Sequence, residues 1–144
     1  MKKNYEKILP SYICDIQEIN NLSKVMFMNN FPHHQFILCT SGTGKICTES
    51  NIEQTVSKSN IVFINSSILF SIRQQENFSL KRIAFNGNFV TNYLQYFDFN
   101  QAVVFVPKSD EVFNAFNIAY DGYMHNKDDI QNSVNMYNLI GVCG

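Results

Sequence analysis

The first 87 residues contain short apolar runs at close, even spacing, with turn residues between them. The run from His34 to Gly44 predicts a strand that ends in a glycine hairpin turn. Residues 60–64 predict a fully apolar strand, and residues 68–73 and 80–87 predict two more. This pattern is typical of a small β-barrel or jelly roll rather than a parallel sheet. Such a barrel is either filled by its own side chains or keeps room for one small ligand.

After Gly87 the apolar positions change to a helical period. A first helix is predicted from the shared face of Phe89, Val90, Tyr93, Leu94 and Phe97. Residues 103–106 then predict one more strand, which ends at Pro107. Ser109 is the predicted N-cap of a second helix, since a serine hydroxyl accepts from the free N–H groups of the first turn. The apolar stripe of that helix is Val112, Phe113, Phe116, Ala119, Tyr120 and Tyr123.

A last helix is predicted to begin near Asn126, with Asp129 in a capping-box position. Its apolar stripe is Ile130, Val134, Tyr137 and Ile140. The predicted fold is therefore mainly β with α: a small β-barrel or jelly roll followed by a small helical element. Residues 1–87 would form an N-terminal arm and the barrel, and residues 88–144 the helical part of the same domain.

Length and charge limit the classes of function that this chain can have. The chain has 144 residues and 45 % apolar residues, enough for one domain with a real core. The net charge is −1, and the only basic cluster is Lys2, Lys3 and Lys7. Nucleic-acid binding usually needs a basic face, so this chain by itself is not expected to bind DNA.

We expect a cytoplasmic protein, because the sequence shows neither a membrane-spanning run nor a signal-peptide core. No apolar run is long enough to cross a bilayer, and Pro10 ends the short apolar stretch after the basic N-terminus, so there is no signal-peptide core. The four cysteines show no CxxC spacing. In a reducing compartment they are expected to be thiols rather than disulfides.

Catalytic and metal-binding patterns are largely missing from the sequence. His33 and His34 are adjacent, so they point to opposite faces of an extended segment and do not bind one ion together. No serine, cysteine or lysine is flanked by an evident base, and no phosphate loop is present. We therefore predict no catalytic residues, no metal and no cofactor. A stand-alone cupin-type enzyme is the alternative, and it would need metal ligands.

The order of these motifs resembles a known family. The pattern His34-x-Phe-x-Leu-x-x-x-Gly-x-Gly44, the apolar strand at 60–64 and Ile83-x-Phe-x-Gly87 precede helix, strand and two helices. Over roughly residues 10–144 this resembles the N-terminal domain of AraC-family transcription regulators. The resemblance implies a cupin-like barrel that binds a small-molecule effector, and a helical element that forms a homodimer. In that family DNA is bound by a second domain, and nothing in this sequence corresponds to it.

The resemblance also implies which side chains line the barrel interior. They are Ile37, Cys39, Phe70, Ile72, Leu80 and Arg82. Sugar-sensing members have prolines and a tryptophan where this chain has residues 65–67 and Arg82, so a sugar effector is not indicated. A small apolar acid, such as a fatty or aromatic acid, would place its carboxylate on Arg82. The N-terminal segment around Leu9, Pro10 and Tyr12 would close over it.

Several alternatives remain open from the sequence. Arg82 would otherwise pair with an internal acid such as Glu53, or reach the rim of the barrel. Periodicity does not decide which face of 80–85 points inward, because Ile83 and Phe85 are as apolar as Leu80. The barrel would otherwise be ligand-free and serve only for dimerisation. By resemblance, the stripe of the last helix is the dimer contact; otherwise that stripe packs against the barrel.

Overall fold

The computed structural model describes residues 12–28, 32–49, 53–66, 68–87, 90, 103–125 and 128–143. The strands are β1 (Tyr12–Ile19), β2 (Met26–Met28), β3 (His34–Thr48), β4 (Glu53–Ser57), β5 (Ile61–Ile64), β6 (Phe70–Asn86) and β7 (Val103–Val106). Two helices follow, α1 (Asp110–Met124) and α2 (Asp129–Cys143). A mainly β fold with C-terminal helices was predicted and is confirmed.

All the paired strands named above are antiparallel and belong to one sheet. Its order is β1-β6-β3-β5-β7, with β2 added to β6 and β4 added to β3. The first part of β3 pairs with β5 and with the end of β6, whereas the second part pairs with β4 and with the start of β6. The sheet therefore has two halves that share the long strands β3 and β6.

The junction of the two halves corrects two predictions. We predicted a hairpin turn at residues 42–44 and separate strands at 68–73 and 80–87, but β3 and β6 each continue through these positions. Gly42 has a φ of 70° and Asn77 on the facing strand has a φ of 44°. The pairing register shifts three times between Cys39 and Gly44. Such bulges bend a strand without ending it.

Alternation along the strands divides the apolar residues into two cores. One core lies between the sheet and the helices and takes Phe36 from β3 together with Ile83 and Phe85 from β6. The other core, which we call the barrel interior, takes Ile37 from β3 and Leu80 from β6. This settles the face that periodicity left open, since the alternate residues of β6 point to the helices.

The helix caps follow simple local chemistry. Ser109 adopts an extended conformation, and its hydroxyl accepts from the Val112 N–H at 3.1 Å, which confirms the predicted N-cap. At α2 a carboxylate oxygen of Asp128 accepts from the Gln131 N–H at 2.7 Å. The expected start at Asn126 lies outside the described residues.

The helical stripes are only partly as predicted. In α1 the predicted apolar stripe has Val112, Phe116, Ala119 and Tyr120 buried, whereas its member Phe113 is 39 % exposed. The helix predicted from Phe89 to Phe97 falls mostly outside the described residues; Val90 is described and lies in the core beneath the helices. Within the described ranges, neither helix is long and apolar enough to cross a membrane.

Candidate functional site

The barrel interior brings together five of the six residues predicted to line it. Ile37, Cys39, Phe70, Ile72 and Leu80 belong to one buried apolar cluster between the two halves of the sheet. The cluster also contains residues that the sequence analysis missed: Leu22, Ile46, Val56, Val62, Ile64 and Phe78. Strand alternation would have grouped Val62 with Ile64, because they are two residues apart on β5.

The interior is closely packed around most of these side chains. Ile37, Cys39, Ile72 and Leu80 have 0 % exposure, which leaves no room for a water molecule against them. The ring of Phe78 fits because Gly44 faces it, since a Cβ on Gly44 would lie 2.7 Å from the ring carbons. A ligand can enter this core only if interior side chains move.

Arg82 is the sixth predicted residue, and it is a buried cation. It is 7 % exposed and lies opposite Ile37 on β3. Its Nη1 donates to Oε1 of Gln35 at 3.0 Å, and Gln35 is itself 1 % exposed. Burial lowers the pKa of the guanidinium, and the charge of Asp15 opposes that shift. Arginine nevertheless stays protonated in proteins, so a positive charge lies beside the apolar interior.

The alternative partners suggested for Arg82 are not the ones observed. Glu53 lies on the exposed surface, where it pairs with Lys45 at 2.6 Å and with Arg73 at 3.7 Å. The expectation that Glu53 is the partner was therefore wrong. The contact to the buried Gln35 also contradicts a guanidinium that extends to the rim. The Gln35 amide thus supplies one hydrogen-bond acceptor for Arg82 inside the chain.

The two adjacent histidines contact different neighbours. His34 is 5 % exposed; its ring stacks on that of Phe63 with centroids 5.9 Å apart and is tilted against that of Phe85 at 5.7 Å. Its Nδ1 accepts from the Ser66 N–H at 3.0 Å, and burial lowers its pKa to about 4. His33 instead lies 3.4 Å from the thiol sulfur of Cys14, measured at Nδ1. Among the described residues, no three His, Cys, Asp or Glu side chains converge as metal ligands.

The stripe predicted for dimerisation divides into two parts. Ile130, Val134 and Tyr137 are 58 %, 55 % and 51 % exposed, and we call these three residues the α2 stripe. Ile140 is 1 % exposed and packs into the core beneath the helices. Ile140 is therefore not available for a contact between molecules, and its place in the predicted dimer contact was wrong.

Several solved structures have a fold similar to that of this chain. Apo ToxT K231A from Vibrio cholerae is similar over 95 % of this chain and 55 % of that chain, with a TM-score of 0.65 and 12 % identity. ToxT bound to an unsaturated fatty acid is similar over 93 % of this chain and 52 % of that chain, with a TM-score of 0.60 and 11 % identity. This chain thus has the same fold as about half of those structures.

A third structure of similar fold holds an arylbutenoic acid. ToxT bound to (E)-4-(8-methylnaphthalen-1-yl)but-3-enoic acid aligns with a TM-score of 0.60 and 10 % identity. That alignment covers 93 % of this chain and 56 % of that chain. At such identities the likeness shows a common fold alone. No family model matches the sequence.

Curated proteins give a partial match of a different kind. UvrABC system protein B of Halalkalibacterium halodurans is 32 % identical over 83 residues, which is 58 % of this chain and 12 % of that protein. The same protein of Listeria monocytogenes is 34 % identical over 77 residues, or 54 % and 11 % respectively. The chain spans about an eighth of the length of these curated relatives. So short a match does not carry their activity to this chain.

Proposed function

We propose that this chain is the effector-sensing and dimerisation domain of an AraC-like transcription regulator. The order of sequence motifs and the fold shared with ToxT over 95 % of the chain support this proposal. The observation that carries it is the charge of Arg82 beside an otherwise apolar interior, held by the neutral Gln35. DNA would be contacted through a second domain.

The effector we propose is small, mostly apolar and anionic, such as a fatty or aromatic acid. Its carboxylate would accept hydrogen bonds from Arg82, which binds planar anions in a two-pronged geometry. Its apolar part would lie against Phe70, Ile72 and Leu80, on the same face of β6. ToxT structures with an unsaturated fatty acid and with an arylbutenoic acid support the ligand class, because they share this fold.

Binding would have to open the packed interior. Large fully buried rings such as Phe70 and Phe78 are the groups whose rotation would create the most space. The carboxylate would compete with Gln35 for Arg82, exchanging a neutral hydrogen bond for a charged one. Closure by the N-terminal segment with Leu9, Pro10 and Tyr12 is part of the proposal, and Leu9 and Pro10 lie outside the described residues.

A ligand screen on matched arginine variants tests this function. Oleate, cinnamate and neutral sugars would be titrated in a thermal-shift assay on the wild type, Arg82→Ala and Arg73→Ala. Arg73 is on the same strand and is exposed, so its loss removes one positive charge away from the interior. We expect an acid to stabilise the wild type and Arg73→Ala, with affinity about ten- to a hundred-fold weaker in Arg82→Ala.

Two outcomes would contradict the assignment. Stabilisation by sugars but not acids would reject the ligand class. Equal binding by Arg82→Ala and Arg73→Ala would reject the role of Arg82. Arg82→Lys is the second variant, for use if Arg82→Ala folds poorly. It keeps the charge but not the two-pronged geometry, so its affinity for the acid should lie between those of the wild type and Arg82→Ala.

A ligand-free barrel that serves only for dimerisation is the second candidate. The observation in its favour is the lack of exposed surface on Ile37, Cys39, Ile72 and Leu80. In that case the wild type would dimerise, yet no acid would raise its melting temperature at saturating concentration. Dimerisation without any acid-induced stabilisation would therefore favour this second candidate.

A further inference from the structure

We propose that Cys14 is a modification site for small disulfides, and that His33 takes up the thiol proton. The Cys14 sulfur lies 3.4 Å from Nδ1 of His33, within the range for an S–H to nitrogen hydrogen bond. A thiolate next to an imidazolium is the nucleophilic form of cysteine. This pair lies outside the barrel interior and is independent of the proposed effector.

The backbone holds Cys14 at an accessible place. In the register of β1 with β6, Ile13 pairs with Phe85 and Asp15 pairs with Ala84, so Cys14 is the extra residue of a bulge. Among the described strands, β1 is at the end of the strand order and pairs with β6. Cys14 is half-buried, and the Tyr123 hydroxyl donates to its carbonyl oxygen at 3.4 Å. The thiol is therefore fixed in position but is not enclosed in a core.

Two of the other three thiols, those of Cys39 and Cys143, lie in surroundings that disfavour a thiolate. Burial raises the pKa of Cys39 to about 11 and that of Cys143 to about 12. The Cys47 thiol donates to a carboxylate oxygen of Glu53 at 3.7 Å. Cys14 differs from these three because its thiol lies against the imidazole of His33, which is a base.

The reaction is a thiol–disulfide exchange with a small disulfide R–S–S–R. Cys14 gives its proton to His33, and the thiolate attacks one sulfur of the disulfide. The S–S bond breaks, a mixed disulfide forms between Cys14 and one RS group, and the other leaves as a thiolate. That leaving thiolate takes the proton from His33. Cys14 is oxidised, one half of the reagent is reduced to R–SH, and no further oxidant is needed.

Site-resolved labelling of the native chain tests the proposal. The protein would react with a limiting amount of 4,4′-dithiodipyridine at neutral pH, and mass spectrometry of peptides would locate the adduct. We expect Cys14 to react about tenfold or more faster than Cys47, with Cys39 and Cys143 slower still. Cys14→Ser should abolish the fast phase of thiopyridone release, and the control Cys47→Ser should keep it. A wild type in which Cys14 is not the fastest cysteine overturns the proposal.

A histidine variant tests the role of the base. His33→Gln should slow labelling of Cys14 about tenfold and leave the rate at Cys47 unchanged. Cys39 and Cys143 report folding in the same experiment, because they react only if the cores open. If Cys39 or Cys143 reacts in His33→Gln, that variant is not properly folded, and the smaller change His33→Asn replaces it. Undiminished labelling of Cys14 in a folded His33 variant would reject His33 as the proton acceptor.

Discussion

At the scale of single residues, two buried polar side chains differ in the charge that they carry inside the fold. Arg82 stays charged and donates to Gln35, while His34 is held neutral among aromatic rings. Loss of hydration is the main cause of the lowered pKa of His34. Its role as acceptor for the Ser66 N–H also requires a deprotonated Nδ1. The arginine thus keeps its charge inside the chain, whereas the histidine makes stability depend on pH.

The pH dependence from His34 has a defined sign. Burial lowers its pKa from the ordinary histidine value of 6.5 to about 4 in the folded chain. Below about pH 6.5 the unfolded chain gains a proton that the folded chain resists until about pH 4, so stability falls as pH falls through this window. We expect urea denaturation to show a loss of about 2–3 kcal/mol between pH 7 and pH 4 from this group.

The control for this prediction is the exposed His125. His34→Asn keeps an acceptor for the Ser66 N–H but does not titrate, so its stability should change less over the same pH range. His125→Asn should keep the full pH dependence. If both variants and the wild type lose the same stability, His34 is not the origin of the slope.

At the scale of elements, the bend in β3 and β6 decides the architecture. A strand of 15 residues crosses the position where the sequence indicated a turn, and its partner of 17 residues bends with it. Gly42 makes this possible because its φ is 70° and a Cβ there would collide with the backbone oxygens of Glu76 and Asn77. One glycine thus lets two halves of a sheet face each other across the barrel interior.

Gly42→Ala should be costly for this reason. We expect it to reduce the free energy of unfolding by about 2–4 kcal/mol, from the unfavourable φ and the backbone collision together. Gly141→Ala is the matched control, because no atom lies within 4 Å of a Cβ built there in α2. That change should stabilise the chain by about 0.5–1 kcal/mol through helix propensity. Equal effects of the two substitutions in urea denaturation would contradict this account of the bend.

At the scale of the whole molecule, the sheet has one core on each face. The helices cover one face, and α2 uses Met136, Leu139 and Ile140 for that purpose. The α2 stripe then remains exposed on the other side of the same helix. We propose that a second copy of the chain covers it in a twofold contact, with Tyr137 as the anchor because its ring is apolar and its hydroxyl can remain hydrated.

Charge placed in the α2 stripe tests this dimer. Val134→Glu and Tyr137→Glu should each weaken self-association about tenfold or more, since a carboxylate would be desolvated in the contact. Both positions are about half exposed, so the melting temperature should change little. Gln54→Glu adds the same charge on the exposed face of β4 and should leave the dimer intact. Light scattering over a concentration series distinguishes these results, and a monomeric wild type would reject the proposal.

The sequence by itself determined the features that depend on nearby residues. Apolar alternation indicated the strands, and Ser109 indicated a helix start, because a serine cap acts within one turn. The order of a small barrel followed by helices came from these local signals, and the resemblance added its cupin-like character. The resemblance to the AraC-family domain supplied the six interior positions, and five of them lie in one buried cluster.

Only the tertiary structure decided what depends on distant partners. A Gly-x-Gly segment suits both a hairpin turn and a bulged strand, and the backbone of β6 selects the bulged strand. Ile140 and Val134 have similar apolar character, yet the sheet below α2 buries one and leaves the other exposed. Gln35 became the partner of Arg82 because β3 and β6 pair across a separation of 47 residues. The local pattern of one sequence does not indicate such contacts, because the two partners are far apart along the chain and become neighbours only on folding.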